Sequence, residues 1–211
     1  MTRIILVRHG QTAWNIGAGG GERFRGRVDL SLDDTGLAQA QAVAERLADL
    51  PIAAIYSSPL KRAVETARPT AQQLGRPVQP LPGIVDINYG DWQGLSHAEV
   101  ARAHPDLYHR WLEKPHRVKF PHGESLRQVR LRGMAALKEV AARHEGQVIL
   151  LVAHQVVNKV LVCAMLGLGN SHFWRIRQDN ACLNVFEHQD GIFTAVLIND
   201  TCHLAGLTQT S

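Results

Sequence analysis

Two wholly apolar runs, Ile4–Val7 and Val148–Ala153, each end abruptly in a polar turn that opens on basic side chains: Arg8-His9 in the first, His154 in the second. A continuous apolar run of strand length, bounded by turn residues, predicts a strand buried on both faces, as in a parallel sheet. Ile52 to Tyr56 and Val78 to Leu81 read as two more short strands. Between them the apolar positions take helical spacing. Asp33 or Asp34 opens a helix over Thr35–Asp49 that stops before Pro51, and Ser58-Pro59 opens one over Leu60–Leu74. Further helices are predicted from Ser96 to Ala103, after Pro105 (containing Trp111), from Glu124-Ser125 to Arg143, and over Gln155–Leu166. Leu183–His188 and Gly191–Asn199 read as a hairpin turning at Gln189-Asp190-Gly191. Asn15 to Gly26 holds Gly17, Gly19, Gly20 and Gly21, the pattern of a mobile loop. Strands alternating with helices predict an α/β fold, a three-layer sandwich with a mainly parallel sheet flanked by helices.

The length of 211 residues suits one domain, 1–211. No apolar stretch approaches the ~20 residues of a membrane helix, and the first buried strand starts by residue 3, where a signal peptide would stand. Cys163, Cys182 and Cys202 are widely spaced and odd in number, which points to a reducing cytosol rather than to disulfides or zinc, with Cys163 a core thiol. A net charge of +4 spread over scattered arginines suits small anionic substrates better than nucleic acid. Eleven histidines include no metal-ligand spacing, so no metal is expected; His104, His109, His116, His122, His172 and His188 read as solvated. A homodimer is compatible with the composition.

In an open α/β sheet, ligands sit beyond the carboxyl ends of the strands. Arg8-His9, Arg62 and His154 all fall just past strand ends, where two guanidiniums, two imidazoles and helix N-termini would cage a tetrahedral oxyanion. The adjacent cation disfavours protonation of His9, leaving a ring nitrogen free to attack. Gly10 lets the chain turn away and opens room beside the ring. A nucleophilic histidine in such a cage implies phosphoryl transfer through a covalent intermediate. Arg25 has two equal readings, a solvated charge or a cation over the mouth of the site.

Val7-Arg8-His9-Gly10-Gln11-Thr12-Ala13-Trp14-Asn15 resembles the signature of the histidine phosphatase superfamily, the phosphoglycerate mutase-like fold. Ser57 to Ala67, Gly90-Asp91-Trp92-Gln93-Gly94-Leu95 and the strand ending at His154 resemble its other three motifs. The resemblance implies that His9 is the phosphorylated nucleophile, that Arg8, Arg62 and His154 hold the phosphoryl oxygens with Asn15 close by, and that neither metal nor cofactor takes part. It puts the general acid at Asp86, where this branch usually has glutamate; Asp86 is one methylene shorter, so either its backbone sits closer or another carboxylate such as Glu22 helps. Gln155 replaces a frequent glycine and leaves a backbone N–H for phosphate. Arg25 and Gly26 resemble the segment lining the substrate side of the site. The second half resembles the metal-independent phosphoserine phosphatases, whereas Tyr89 is as in the mutases; His97 replaces the usual mutase lysine. The expected function is a cytoplasmic phosphomonoesterase acting on small carboxylated substrates such as phosphoserine. A mutase, a sugar-phosphate phosphatase and a non-catalytic phosphate sensor are the rivals.

Overall fold

The computed structural model describes residues 1–15 and 22–207. The glycines at 17 and 19–21, predicted to form a mobile loop, lie outside the described residues. Strands β1 (Thr2–Arg8), β2 (Ile52–Ser57), β3 (Val78–Pro80), β4 (Val148–Ala153), β5 (Leu183–Gln189) and β6 (Ile192–Asp200) form one sheet in the order β3-β2-β4-β1-β5-β6. The first four are parallel; β5 and β6 run antiparallel at one side. This is the α/β sandwich predicted. The hairpin closes through Asp190 and Gly191, both at positive φ, the twist that a tight two-residue turn requires.

The helices are α1 (Asp34–Leu47), α2 (Lys61–Gln73), α3 (His97–Ala103), α4 (Pro105–Glu113), α5 (Leu126–Arg143) and α6 (Gln155–Met165). Asp33 caps α1 by accepting from the Gly36 N–H, while Ser96 and Ser125 form capping boxes with Glu99 and Gln128. The prediction for α2 was wrong at its start. The helix begins at Lys61 and its N-cap Leu60 supplies no side-chain bond; the Ser58 hydroxyl accepts from the Leu60 N–H, ahead of the first helical residue.

Two apolar cores flank the sheet. Ile5, Val7, Ile55, Leu150 and Val152 face α1 and α2, while Ile4, Leu6, Ile149 and Leu151 face α5, α6 and an aromatic cluster of Phe24, Tyr89, Trp92, Trp111 and Phe120. The alternation along β1 and β4 puts successive residues into opposite cores, so each strand is apolar throughout. Both end at the same sheet edge in parallel register, Arg8 beside Ala153. That register is what brings His9 and His154 together.

Gly10 serves a different purpose from the one predicted. A Cβ there would meet the Gly36 carbonyl oxygen at 2.6 Å, so glycine is needed for the first turn of α1 to pack backbone against backbone. Three histidines expected in solvent are half-buried instead: His104 stacks on Trp92, His188 on Phe193, and His172 bonds within its own turn. Cys163 is a buried free thiol as predicted.

Candidate active site

His9 is 1 % exposed at the end of β1. Its backbone is clamped on both sides, its N–H donating to Ala153 O and its carbonyl accepting from the Ala181 N–H. The ring Nδ1 lies 2.7 Å from the Gly10 carbonyl oxygen. A carbonyl only accepts, so Nδ1 carries the proton and Nε2 keeps its lone pair. Burial, then the charges of Arg62, Arg8 and Arg25, hold the His9 pKa well below the ordinary 6.5. Burial, rather than the neighbouring cation expected from Arg8-His9, is the larger cause.

The His154 ring stands 5.3 Å from that of His9, centroid to centroid, and is fully buried. Its Nε2 shares a 2.7 Å hydrogen bond with the Ser58 hydroxyl, which also accepts from the Leu60 N–H at 3.4 Å. Its pKa is also far below 6.5, again through burial first and Arg62 second. Arg62, in the first turn of α2, is fully buried and donates to Gly26 O, Val28 O and Asp86 Oδ2. Arg8 donates to Gln178 O at 2.6 Å. Burial, reinforced by Arg25, lowers its pKa to about 10, so it remains a cation at neutral pH. Among the described residues, the buried side-chain nitrogens without a hydrogen-bond partner include Arg8 Nε, Arg62 Nε and His154 Nδ1. Unpaired buried donors cost roughly 1–3 kcal/mol each. The Nε–H groups of Arg8 and Arg62 are thus donors with capacity left for an acceptor-rich anion.

Asp86 completes the group despite its short side chain. Its Oδ2 accepts from Arg62 at 3.0 Å and lies 3.6 Å from His154 Nδ1, while Oδ1 accepts from the Ile87 N–H. Arg132 of α5 donates to the carbonyls of Gly83, Val85 and Asp86 and pairs with Glu124, pinning the segment that carries Asp86. Burial raises the Asp86 pKa above its ordinary value, and Arg62 opposes it.

A cavity of about 150 Å³ opens beside His9. Its lining includes His9, Arg25, Gly26, Asp86, Tyr89 and Gln155, with Gln155 the first residue of α6. Arg25 is 7 % exposed and held by Trp14 O and Glu22, which decides against the solvated reading. Gly26 is at positive φ, and a Cβ there would meet Gln93 Oε1 at 2.5 Å. Burial pushes the Tyr89 phenol well above its ordinary pKa. The Asn15 Oδ1 closes a turn by accepting from the Thr12 N–H and hydroxyl. Arg8, Asn15, Arg62 and His154 stand outside the lining of this cavity.

These motifs and this geometry have known counterparts. Residues 4–201 match the histidine phosphatase superfamily (branch 1). The chain belongs to that superfamily. It is 37 % identical over 205 residues to phosphoserine phosphatase 1 of Hydrogenobacter thermophilus, covering 97 % of this chain and 95 % of that one. It is 33 % identical over 211 residues to a metal-independent phosphoserine phosphatase of Arabidopsis thaliana, covering 98 % and 85 %. The structure of a phosphoserine phosphatase from Entamoeba histolytica, complexed with phosphoserine, superposes with a TM-score of 0.85 at 26 % identity, covering 97 % of this chain and all of that one.

Within this histidine phosphatase, several site residues had escaped the sequence reading. The Gln178–Asn184 pair supports Arg8 from below, Asn184 donating to both Leu6 O and Gln178 Oε1. Phe24, Trp111, Phe173 and Trp174 wall the cavity, and Lys159 lies against Phe173 and Trp174 at 5.0 and 4.8 Å. These come from distant segments, and each reads locally as ordinary core or surface.

The buried imidazoles make stability depend on pH. Each is neutral in the folded protein down to a pKa below 6.5, while the unfolded chain takes up its proton near 6.5. Stability is therefore lost as pH falls below about 6.5 toward the folded values. His9→Ala removes one such site, so Tm should fall less steeply between pH 6.5 and 5 than in the native chain. Equal slopes would mean that His9 titrates normally in the fold.

Proposed function

We propose that this chain is a metal-independent phosphomonoesterase working through a phosphohistidine at His9, on small carboxylated phosphate esters such as phosphoserine. The observation that carries the reading is a neutral His9 whose Nε2 is free, within a buried group of Arg8, Arg62, His154 and Asp86. In the first step Nε2 attacks phosphorus in line, the P–O bond to the alcohol breaks, and protonated Asp86 gives its proton to the departing oxygen. In the second, the Asp86 carboxylate takes a proton from water as its oxygen attacks phosphorus. The P–N bond breaks, His9 regains its lone pair, and phosphate leaves. Arg8, Arg62, His154 and the N–H of Gln155 bind the phosphoryl oxygens, whose charge grows toward the transition state. A raised yet Arg62-moderated pKa suits Asp86 to giving up a proton and taking it back. The donor set is imidazole, guanidinium and one carboxylate, and no group of metal-ligating residues stands among the described residues.

Arg25 is the residue we assign to the carboxylate of the substrate. It adds a third guanidinium beyond what one phosphoryl group occupies, and it is buried in the cavity wall. A charge-assisted hydrogen bond is worth roughly 1.5–3 kcal/mol, so Arg25→Ala should lower kcat/KM on phosphoserine by about 10- to 150-fold. Phosphoethanolamine, which lacks the carboxylate, should lose little. The test is phosphate release from a panel of metabolite monoesters, with and without chelator, on the native and variant chains. Parallel losses on both ester classes, or a native rate abolished by chelator, would contradict the reading.

A further inference from the structure

Two carboxylates line the cavity, and the proposed chemistry uses only one of them. Asp86 is buried beside Arg62. Glu22 lines the same cavity, its side chain 46 % exposed, with Oε1 3.3 Å from the Arg25 guanidinium. An acid at that position weakens the attraction of the site for any purely anionic ester. It is also not tied down as a structural acid would be: among the described residues its one hydrogen-bonded partner is Arg25, which has its own anchor on Trp14 O. The remaining charges and titratable groups nearby are differently engaged. Arg23 donates to Gly94 O and pairs with Glu99, and His97, stacked on Phe24 with Nδ1 on the Tyr108 hydroxyl, has its pKa lowered by burial and so is neutral at pH 7. Arg25 and Glu22 thus stand as a cation and an anion side by side in the cavity wall, with Arg8 and Lys159 the further cations on which the Glu22 charge acts.

We infer that the Arg25–Glu22 pair is a receptor for an α-amino acid head group, Arg25 taking the carboxylate and Glu22 the ammonium, so that the substrate class is phosphorylated amino acids rather than phosphorylated hydroxy acids. Carboxylate and ammonium leave the same carbon in such a substrate, which matches two opposite charges on neighbouring side chains. Binding exchanges one ion pair for two crossed ones, with no charge left unmatched. A hydroxy acid of the same shape satisfies Arg25 and leaves Glu22 facing a hydroxyl and the substrate's own negative charge. This rests on the phosphatase reading and on the role given to Arg25.

O-phosphoserine and 3-phosphoglycerate separate the two classes, because they differ chiefly in ammonium against hydroxyl. The native chain should prefer phosphoserine in kcat/KM. Glu22→Gln should reduce that preference by about tenfold, at the low end for a charge-assisted bond because Glu22 is half-exposed, with the change carried by KM for phosphoserine. Glu22→Asp, which keeps the charge, should restore part of the preference. Equal use of both esters by the native chain, an unaltered ratio in Glu22→Gln, or an equal loss on both esters (Glu22 merely holding Arg25 in place) would overturn the inference and leave the phosphatase reading standing. Hydrolysis of p-nitrophenyl phosphate but of neither carboxylated ester would overturn the carboxylate assignment and this inference together.

Discussion

Replacing His9 by alanine should reduce phosphatase turnover by roughly 10³-fold or more, since removing a covalent nucleophile leaves only binding and charge stabilisation. The fold should survive. The His9 side chain makes one hydrogen bond, to the carbonyl of its own neighbour Gly10, while its backbone bonds to Ala153 and Ala181 do not depend on the ring. Circular dichroism and a Tm within a few degrees of the native value would show this, alongside steady-state rates on phosphoserine. A variant that kept a tenth of the native rate would rule out the phosphohistidine route through His9.

The second large effect concerns Asp86. General acid catalysis typically contributes ~10²–10⁴-fold, and its weight depends on how badly the leaving group needs a proton. Asp86→Asn keeps the approximate shape and the ability to meet Arg62 through an oxygen, and removes the proton. Hydrolysis of phosphoserine, whose leaving alkoxide is strongly basic, should fall by about 10²–10⁴-fold. Hydrolysis of p-nitrophenyl phosphate should fall by less than about tenfold, because that phenolate leaves without help. Equal losses on the two substrates would assign Asp86 to positioning, through its bond to Arg62, and would require another acid. Arg132 fixes the backbone that carries Asp86 by gripping the carbonyls of residues 83, 85 and 86.

The elements that position this chemistry were legible in the sequence because their signals are local. β1 and β4 are unbroken apolar runs that stop at Arg8-His9 and His154, and a parallel sheet must then place those ends on one edge. Asp33, Ser96 and Ser125 announced their helices by side chains that reach N–H groups two or three residues on. Ser58 misled for the same reason. It carried a good cap signal, yet the helix starts at Lys61, and the Ser58 hydroxyl serves both the Leu60 N–H and His154, a tertiary partner 96 residues away. The burial that dominates the His9 pKa was equally invisible, since it depends on how β4, β5 and α2 close around the ring. So was the aromatic wall. Trp111 lies on an amphipathic helix where it reads as plain core, and only the fold brings it to 5.2 Å from Trp174. Arg132 and the Gln178–Asn184 pair stand one layer behind the site, where no pattern of spacing marks them.

The central claim is that phosphorus passes through His9 before reaching water, and the stereochemical course at phosphorus tests it most directly. A phosphorothioate analogue of the substrate, carrying two different oxygen isotopes on phosphorus, would be hydrolysed by the native chain in water of the third isotope, and the configuration of the thiophosphate product determined. Each in-line displacement inverts the centre. Attack by His9 followed by attack by water therefore predicts net retention. Net inversion would mean that water attacks the ester in a single step, with His9 no more than a bystander or base, and would contradict the account.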